Sequence, residues 1–459
     1  MAHKPSQALP SETTSVSPRT LVALMLGVVV VTLDISLTST AVPAIAQGLG
    51  TPDAQTIWII NIYYLAVISV LLPLGALGEI YGHRRVFLTG LLVFALGSLA
   101  SALASSLGAL MTARGLLGLG AAAVSATTPA LIKELYPPGK LGRGLGLYAV
   151  IVGVAFTAGP TVTSVILSFA SWQWLYMPAV PLALLAAALA FKGLPMTARN
   201  LRPFDPAAAI ACALTFALLL TTIAGVAHLG WRWVLVTAAG TIAAGWWLRQ
   251  REAGRDSPML AVDLFGIKYF SLSVITAISA FSVQGLAFVV LPFLFITELG
   301  YSQVQAGFLL TAWPATLVVM TVVASRLVER ISPAILGTCG LAIVAIGLAL
   351  LVSLPQAVSV VGLSWRLGLC GLGYALFQAP NMVALMNSAP RHRSGSAGGI
   401  LATGRLLGQA VGATLVAFCL SAWASHGIAT ALWLGVAIAV FGALVSLSRC
   451  LPSANQPAR

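Results

Sequence analysis

The sequence predicts an all-α integral membrane protein of fourteen spans, arranged as two six-helix bundles with an inserted helix pair between them. Three observations carry that prediction. Apolar residues make up 59% of the 459 positions and charged residues only 8%, whereas a soluble domain carries about 25% charged residues. A chain so poor in charge cannot cover itself with hydrated groups and takes lipid as its solvent. The mean hydropathy of +0.98 comes from continuous apolar stretches, not from the alternating pattern of a membrane β-barrel. Finally, blocks of the first half return in the second at an offset of about 250 residues.

A spanning helix takes about 20 residues, and fourteen segments of that length are present. Residues 1–20 form a polar tail, followed by a first bundle over 21–192 with apolar stretches at 21–42, 57–77, 86–106, 109–132, 144–168 and 172–192. The inserted pair, 205–227 and 231–248, lies within 193–269 and is flanked by basic loops. The second bundle, 270–448, holds 270–295, 303–325, 334–354, 358–386, 396–421 and 427–448, and residues 449–459 form a second tail. The charged start and the AIA at 44–46 give the first span some likeness to a secretory signal. Asp34 and Pro43 interrupt it in a way the second half repeats, which makes it a retained helix.

Basic residues set the orientation. With the amino terminus inside, twenty of the 24 Lys and Arg residues fall in cytoplasmic segments; Arg232 and Arg366 lie at outer ends, and Arg114 and Arg405 inside spans. Both termini are therefore expected in the cytoplasm. Trp58, Trp172, Trp174, Trp231, Trp233 and Trp365 cluster at the expected outer ends, where indole rings anchor at headgroup level. The net charge of +13 would suggest nucleic acid in a soluble protein, but here the topology accounts for it and no nucleic-acid partner is expected. The five cysteines stand singly, without metal or disulfide spacing, and read as small hydrophobes.

The repeat has several anchors. Leu77, Glu79 and Gly90 lie over Leu327, Glu329 and Gly340 at an offset of 250, while Gly118 and Gly120 lie over Gly371 and Gly373 at 253. Asp34 and Pro43 pair with Gln284 and Pro292, so each half opens with a helix carrying a polar group and then a proline. Repeated halves facing one another across a central cavity are the architecture of many secondary transporters.

The motifs resemble the major facilitator superfamily, and within it the fourteen-span drug:proton antiporter group. LDISLTSTAVP (Leu33 to Pro43) is similar to that group's first-helix motif. GALGEIYGHRR resembles the superfamily's loop motif, with Glu79 for the usual aspartate and Ile80 and His83 at its basic positions. LMTARGLLGLGAA and GRLLGQAVG resemble a fourth-helix and a carboxy-terminal motif. The fifth-span antiporter motif keeps Gly159 and Pro160 but has Thr163 and Ser164 for its glycine pair, which weakens the implication of export relative to that of membership. The resemblance implies alternating access in a bacterial inner membrane. It also implies proton-driven efflux of lipophilic, often cationic compounds by a monomer without cofactor. A carrier of a specific metabolite, such as a sugar, organic acid or peptide, is the alternative on the same fold, and a membrane enzyme or sensor a more distant third.

Individual residues follow from this frame. Asp34 is the acid inside the first half's apolar cores, and a carboxylate there is paired, protonated or used. It is the candidate proton carrier. Arg114, among small residues on the fourth span, needs a carboxylate or carbonyl partner, and the resemblance adds a role in proton coupling; Arg405 on the thirteenth span has a similar status, with structural pairing the simpler reading. Gly75, Gly78, Glu79, Gly82, Arg84 and Arg85, with Glu329 and Arg330 in the repeat, are candidates for a cytoplasmic gating loop, although positive-inside topology alone would also place the basic ones there. Tyr63, Tyr64, Gln284, Phe288, Trp313, Phe377, Gln378 and Asn381 are candidate cavity residues, whose aromatic faces suit a lipophilic cation; ordinary helix packing is the competing reading for each. No phosphate-binding loop, metal cluster or catalytic grouping is present in the sequence, so ATP coupling and an enzyme are disfavoured.

Overall fold

A computed structural model describes residues 18–136, 141–195, 204–228, 231–252, 262–354, 358–390, 394–423 and 426–450. In lipid a backbone must satisfy its own polar groups, which selects helices, and the described chain runs back and forth as fourteen long ones. The first half comprises α1 (Pro18–Leu49), the one-turn α2 (Asp53–Thr56), α3 (Trp58–Tyr81), α4 (His83–Ala102), α5 (Leu107–Leu135), α6 (Leu141–Leu167) and α7 (Ala179–Gly193). The inserted pair is α8 (Pro206–His228) and α9 (Trp231–Glu252). The second half comprises α10 (Lys268–Phe293), α11 (Gln303–Leu327), α12 (Pro333–Val352), α13 (Val360–Ser388), α14 (Ser394–Ala422) and α15 (Gly427–Ser448).

Thirteen of these helices, α9 excepted, are long and apolar enough to cross a membrane. The ends of α9 carry Arg232, Arg249, Arg251 and Glu252, and it packs along α8 as the second arm of the expected hairpin. The sixth span departs from expectation: Trp172–Leu175 forms a separate 3-10 turn and the α-helix starts only at Ala179. Trp172 is consequently no interfacial anchor but buried, at 4% exposure, against Tyr176, whereas Trp174, Trp231, Trp233 and Trp365 stay exposed as expected. Large apolar side chains such as Phe169, Ile242 and Leu444 also face outward. A contiguous apolar exterior of that kind suits lipid, not water.

Packing within the two halves corresponds helix by helix. In the first, α1 packs on α6 and α7, α3 on α5, and α4 on α5 and α7; in the second, α10 packs on α14 and α15, α11 on α13, and α12 on α13 and α15. Small residues set the crossings, since without a hydrophobic drive helices associate by close backbone approach. A Cβ on Gly90 would meet the Gly120 carbonyl at 3.0 Å, and one on Gly340 would meet the Gly373 carbonyl at 2.5 Å. The turns match as well: Gly50 and Gly300 both take positive φ, 61° and 70°. Ser106 and Ser359 cap the amino ends of α5 and α13.

Several contacts between the halves lie at the end of the bundle away from the start of α1 and the end of α15. The Gln303 amide on α11 donates to the Thr40 carbonyl on α1 at 3.2 Å, and the Thr161 and Thr311 hydroxyls of α6 and α11 lie 2.7 Å apart. A Cβ on Gly307 of α11 would meet both the Pro160 carbonyl and Ser164 of α6. The inserted α8 rests on α3 and α14, one helix from each half, and so covers their seam. Asp205 caps α8 by accepting from the Ala207 and Ala208 amides, and pairs with Arg251 of α9 at 2.9 Å.

Candidate functional site: a buried ion pair beside an interhelical cavity

Asp34 sits midway along α1, and Arg114 enters from the second turn of α5. The two meet in an ion pair of 2.7 Å, with side chains 2% and 0% exposed. Only Nη1 of Arg114 is used. Its Nε and Nη2 have no hydrogen-bond acceptor, and aromatic faces take their place: Tyr63 of α3 at 4.7 Å and Tyr176, after the 3-10 turn, at 5.6 Å from the guanidinium carbon. Burying two opposite charges costs desolvation that their attraction repays only with good geometry and further hydrogen bonds. Half of the guanidinium lacks those bonds, so the pair is held by mutual need more than by a full network.

Two residues on, another face of α1 is fixed to α6. The Ser36 hydroxyl donates to the Phe156 carbonyl at 2.8 Å, and a Cβ on Gly159 would fall on the Ser36 side chain. Gly159 and Pro160 therefore let α6 lie directly against the helix that carries Asp34. From Asp34 to Thr40, which joins the closed end of the bundle, is about 9 Å along a helix.

Tyr63 and Tyr64 are edge-to-face at 5.6 Å, and Tyr64 lines a small cavity between the halves. Ser39, Tyr64 and Phe156 line it from the first half; Gln284, Phe288 and Gln409 line it from the second. Phe156 and Phe288 meet edge-to-face across the seam at 5.0 Å. The Gln409 amide donates to Gln284 Oε1 at 3.1 Å, so the position equivalent to Asp34 holds a neutral pair. An aromatic chain runs from Phe288 to Trp313 at 5.7 Å, then to Tyr374 at 6.4 Å and Phe377 at 5.7 Å.

Of the cavity candidates, Tyr64, Gln284 and Phe288 line this space, while Tyr63, Trp313 and Phe377 stand behind it as its aromatic backing. Gln378 is half-buried further along α13. Asn381 belongs elsewhere: it is 1% exposed, donates to the Ser273 carbonyl at 3.2 Å and accepts from Arg449 at 2.8 Å. Arg449, expected in the tail after the last span, folds back into the second half. It also donates to the Ser273 and Ser446 hydroxyls, and burial lowers its pKa from the ordinary arginine value.

Arg405 is half-buried one helical turn before Gln409 on α14, and Arg405, Gln409 and Ala413 share a helix face on which the latter two line the cavity. Three residues on from Arg405, Gly408 packs against Phe281, whose ring lies 6.0 Å from that of Tyr374. Among the described residues Arg405 has no carboxylate partner, and its Nε has no acceptor.

The loop candidates lie at the end that holds the termini. Gly82 makes the α3–α4 turn with φ 98° and Gly78 packs against His83, while Gly75 has open space around it. Glu79, Arg85, Glu329 and Arg330 are exposed and make no ion pair among the described residues. Arg84 donates to the Phe191 carbonyl and lies over that ring. Sequence reasoning missed Tyr176, Tyr374, Gln409 and Arg449 as site or network members. Gln409 stands inside the quoted GRLLGQAVG motif and was the legible one; Tyr176 was hidden in an aromatic run that reads as an interfacial anchor.

A single family model describes the chain. Its two matches, over residues 24–211 and 207–413, are to the Major Facilitator Superfamily. The chain belongs to that superfamily. It is therefore a multi-pass membrane transporter of small molecules, not an enzyme. An uncharacterized transporter of Escherichia coli (strain K12), YebQ, is 41% identical over 93% of this chain and 94% of its own length. A multidrug resistance protein of Mycobacterium tuberculosis, Stp, is 29% identical over 88% of this chain and 76% of its own. The fold is shared with a D-xylose-proton symporter at a TM-score of 0.70 and 17% identity, covering 94% of this chain and 97% of that one.

Proposed function

We propose that this protein is a proton-coupled exporter of lipophilic small molecules, with Asp34 as the group that binds and releases the proton. The observation that carries the reading is the buried Asp34–Arg114 pair on the helix that also joins the two halves. Protonating Asp34 removes the one carboxylate that faces Arg114 among the described residues. The guanidinium then rests on the Tyr63 and Tyr176 faces alone, and α1 is free to repack against α5. Movement of α1 reaches the Thr40–Gln303 contact at the closed end, which couples the proton to opening there.

The cavity walls supply the rest. Phe156, Phe288 and Tyr64 offer apolar and aromatic surface and Gln284 and Gln409 a few fixed polar groups, a mixture suited to compounds of varied shape. Similarity to a multidrug resistance protein supports export. Asp34 faces Arg114 and not the cavity, so its task is to carry the proton rather than to oppose a substrate cation. On this reading the protein works as a monomer in a bacterial inner membrane with both termini cytoplasmic, the closed end is the outer one, and Glu79 with its basic neighbours latches the cytoplasmic end when the bundle reverses.

The test is proton movement in proteoliposomes with an imposed pH gradient, on addition of a panel of lipophilic drugs. Substrate-dependent collapse of the gradient is expected for the wild type and its loss for Asp34→Asn, which keeps the shape of the side chain. Drug flux without proton movement, or an unchanged variant, would overturn the proposal.

A further inference from the structure

Arg405 lies within the span of α14, and the one mid-membrane acid of the described helices, Asp34, is already paired with Arg114. Of the chain's other acids, Asp53, Glu79, Glu134, Asp205, Glu252, Asp263, Glu298 and Glu329 lie at helix ends or in connections. The cavity side of α14 therefore carries an uncompensated positive charge.

Two further donors, on α13 and α11, are orphaned. Tyr374 is fully buried, and its hydroxyl has no hydrogen-bond partner. Trp313 is 1% exposed, its indole N–H is likewise without an acceptor, and its ring lies 6.4 Å from that of Tyr374 and 5.7 Å from the cavity-lining Phe288. Buried polar groups in native proteins are nearly always satisfied, and leaving one unpaired is expensive. Here α13, which packs on both α11 and α14, sets Tyr374 beside the Trp313 ring of α11, and α14 carries Arg405. All lack acceptors, and an acceptor-rich anion would complete the set. A lipophilic cation finds no counter-charge there.

We infer that Arg405, with Tyr374 and Trp313, forms the subsite for an acidic group of the transported compound, so that the substrates are amphipathic acids: a carboxylate carried on an apolar or aromatic frame. The carboxylate accepts from the guanidinium, whose planar fork matches its two oxygens. The frame lies against Phe288 and Phe156. This names the substrate class of the exporter proposed above and rests on that reading.

Binding to the purified full-length protein in lipid nanodiscs, with no gradient, tests it directly. The probes are benzoate and 1-naphthoate, their methyl esters, and tetraphenylphosphonium. Each acid is expected to bind at least tenfold more tightly than its ester. Arg405→Gln should weaken the acids at least tenfold and the esters less than threefold, removing the preference, and Arg405→Lys should restore part of it. If Arg405→Gln does not fold, Tyr374→Phe removes one donor and no volume, and should weaken the acids alone by about threefold or more. Esters or tetraphenylphosphonium binding as tightly as the acids would overturn the inference, as would unchanged acid affinity in the folded variants. The two proposals fail separately. Gradient-driven efflux of cations that survives Arg405→Gln removes the acid subsite and leaves the exporter; acid binding without any gradient-driven flux does the reverse.

Discussion

Replacing both members of the Asp34–Arg114 pair should harm the fold less than replacing either. With Asp34→Leu, Arg114 keeps its position at 0% exposure, loses the single bond made by Nη1, and already has no acceptor at Nε or Nη2. With Arg114→Leu, the carboxylate is left at 2% exposure without its cation. Breaking a buried pair from one side costs about 3–5 kcal/mol, whereas exchanging both partners for apolar residues of similar volume is often neutral. Each single variant is therefore expected to lose about 3–5 kcal/mol and the double variant no more than about 1 kcal/mol, a coupling large against the additivity of distant sites. Unfolding free energies in lipid bicelles, compared around the four-member cycle, measure this. On the reading proposed above, transport measured beside them should be lost in Asp34→Leu and in the double variant, which both lack the carboxylate. Single-variant losses that simply add would refute the account of the pair as mutually dependent charges, and a double variant that still couples flux to protons would refute Asp34 as the carrier.

Other sites give sharper structural tests. Tyr63→Leu removes the ring 4.7 Å from the Arg114 guanidinium and should destabilise by about 1–2 kcal/mol, while Tyr63→Phe should cost much less, because the contact is made by the ring face. Gly90→Val and Gly340→Val should each separate a helix pair, α4 from α5 and α12 from α13, and lower the yield of folded protein on size exclusion. Asp205→Ala should cost about 0.5–2 kcal/mol through the lost α8 cap, and Arg251→Ala under about 1 kcal/mol because its side chain is 42% exposed; thermal unfolding of the two variants ranks them.

Much of this was legible in the chain because lipid simplifies the problem. A backbone that must satisfy itself turns each apolar run into a helix, and spans written at 57–77 or 427–448 return as Trp58–Tyr81 and Gly427–Ser448. The offset of 250 was readable because glycines at crossings have no substitute: Gly90 and Gly340 each meet a facing carbonyl, and a Cβ there has nowhere to go. Asp34 and Arg114 could be singled out one at a time, since a charge in hydrocarbon is conspicuous.

Their partnership could not. The two are separated by 80 positions, and what brings them together is the crossing of α1 and α5 with Tyr63 and Tyr176 closing the sides, a matter of helix rotation that hydropathy does not encode. Rotation also decided that Asn381 serves Arg449 and not the cavity, that Trp172 packs inward while Trp174 faces out, and that Arg405 is left on the cavity side of α14 without a counter-charge among the described residues. The sequence by itself determined the solvent, the spans and the repeat, because those depend on how much apolar surface each segment carries. Only the tertiary structure decided which of the described polar groups share a partner and which are left without one, because in a bundle of apolar helices that depends on the few degrees by which each one is turned toward its neighbour.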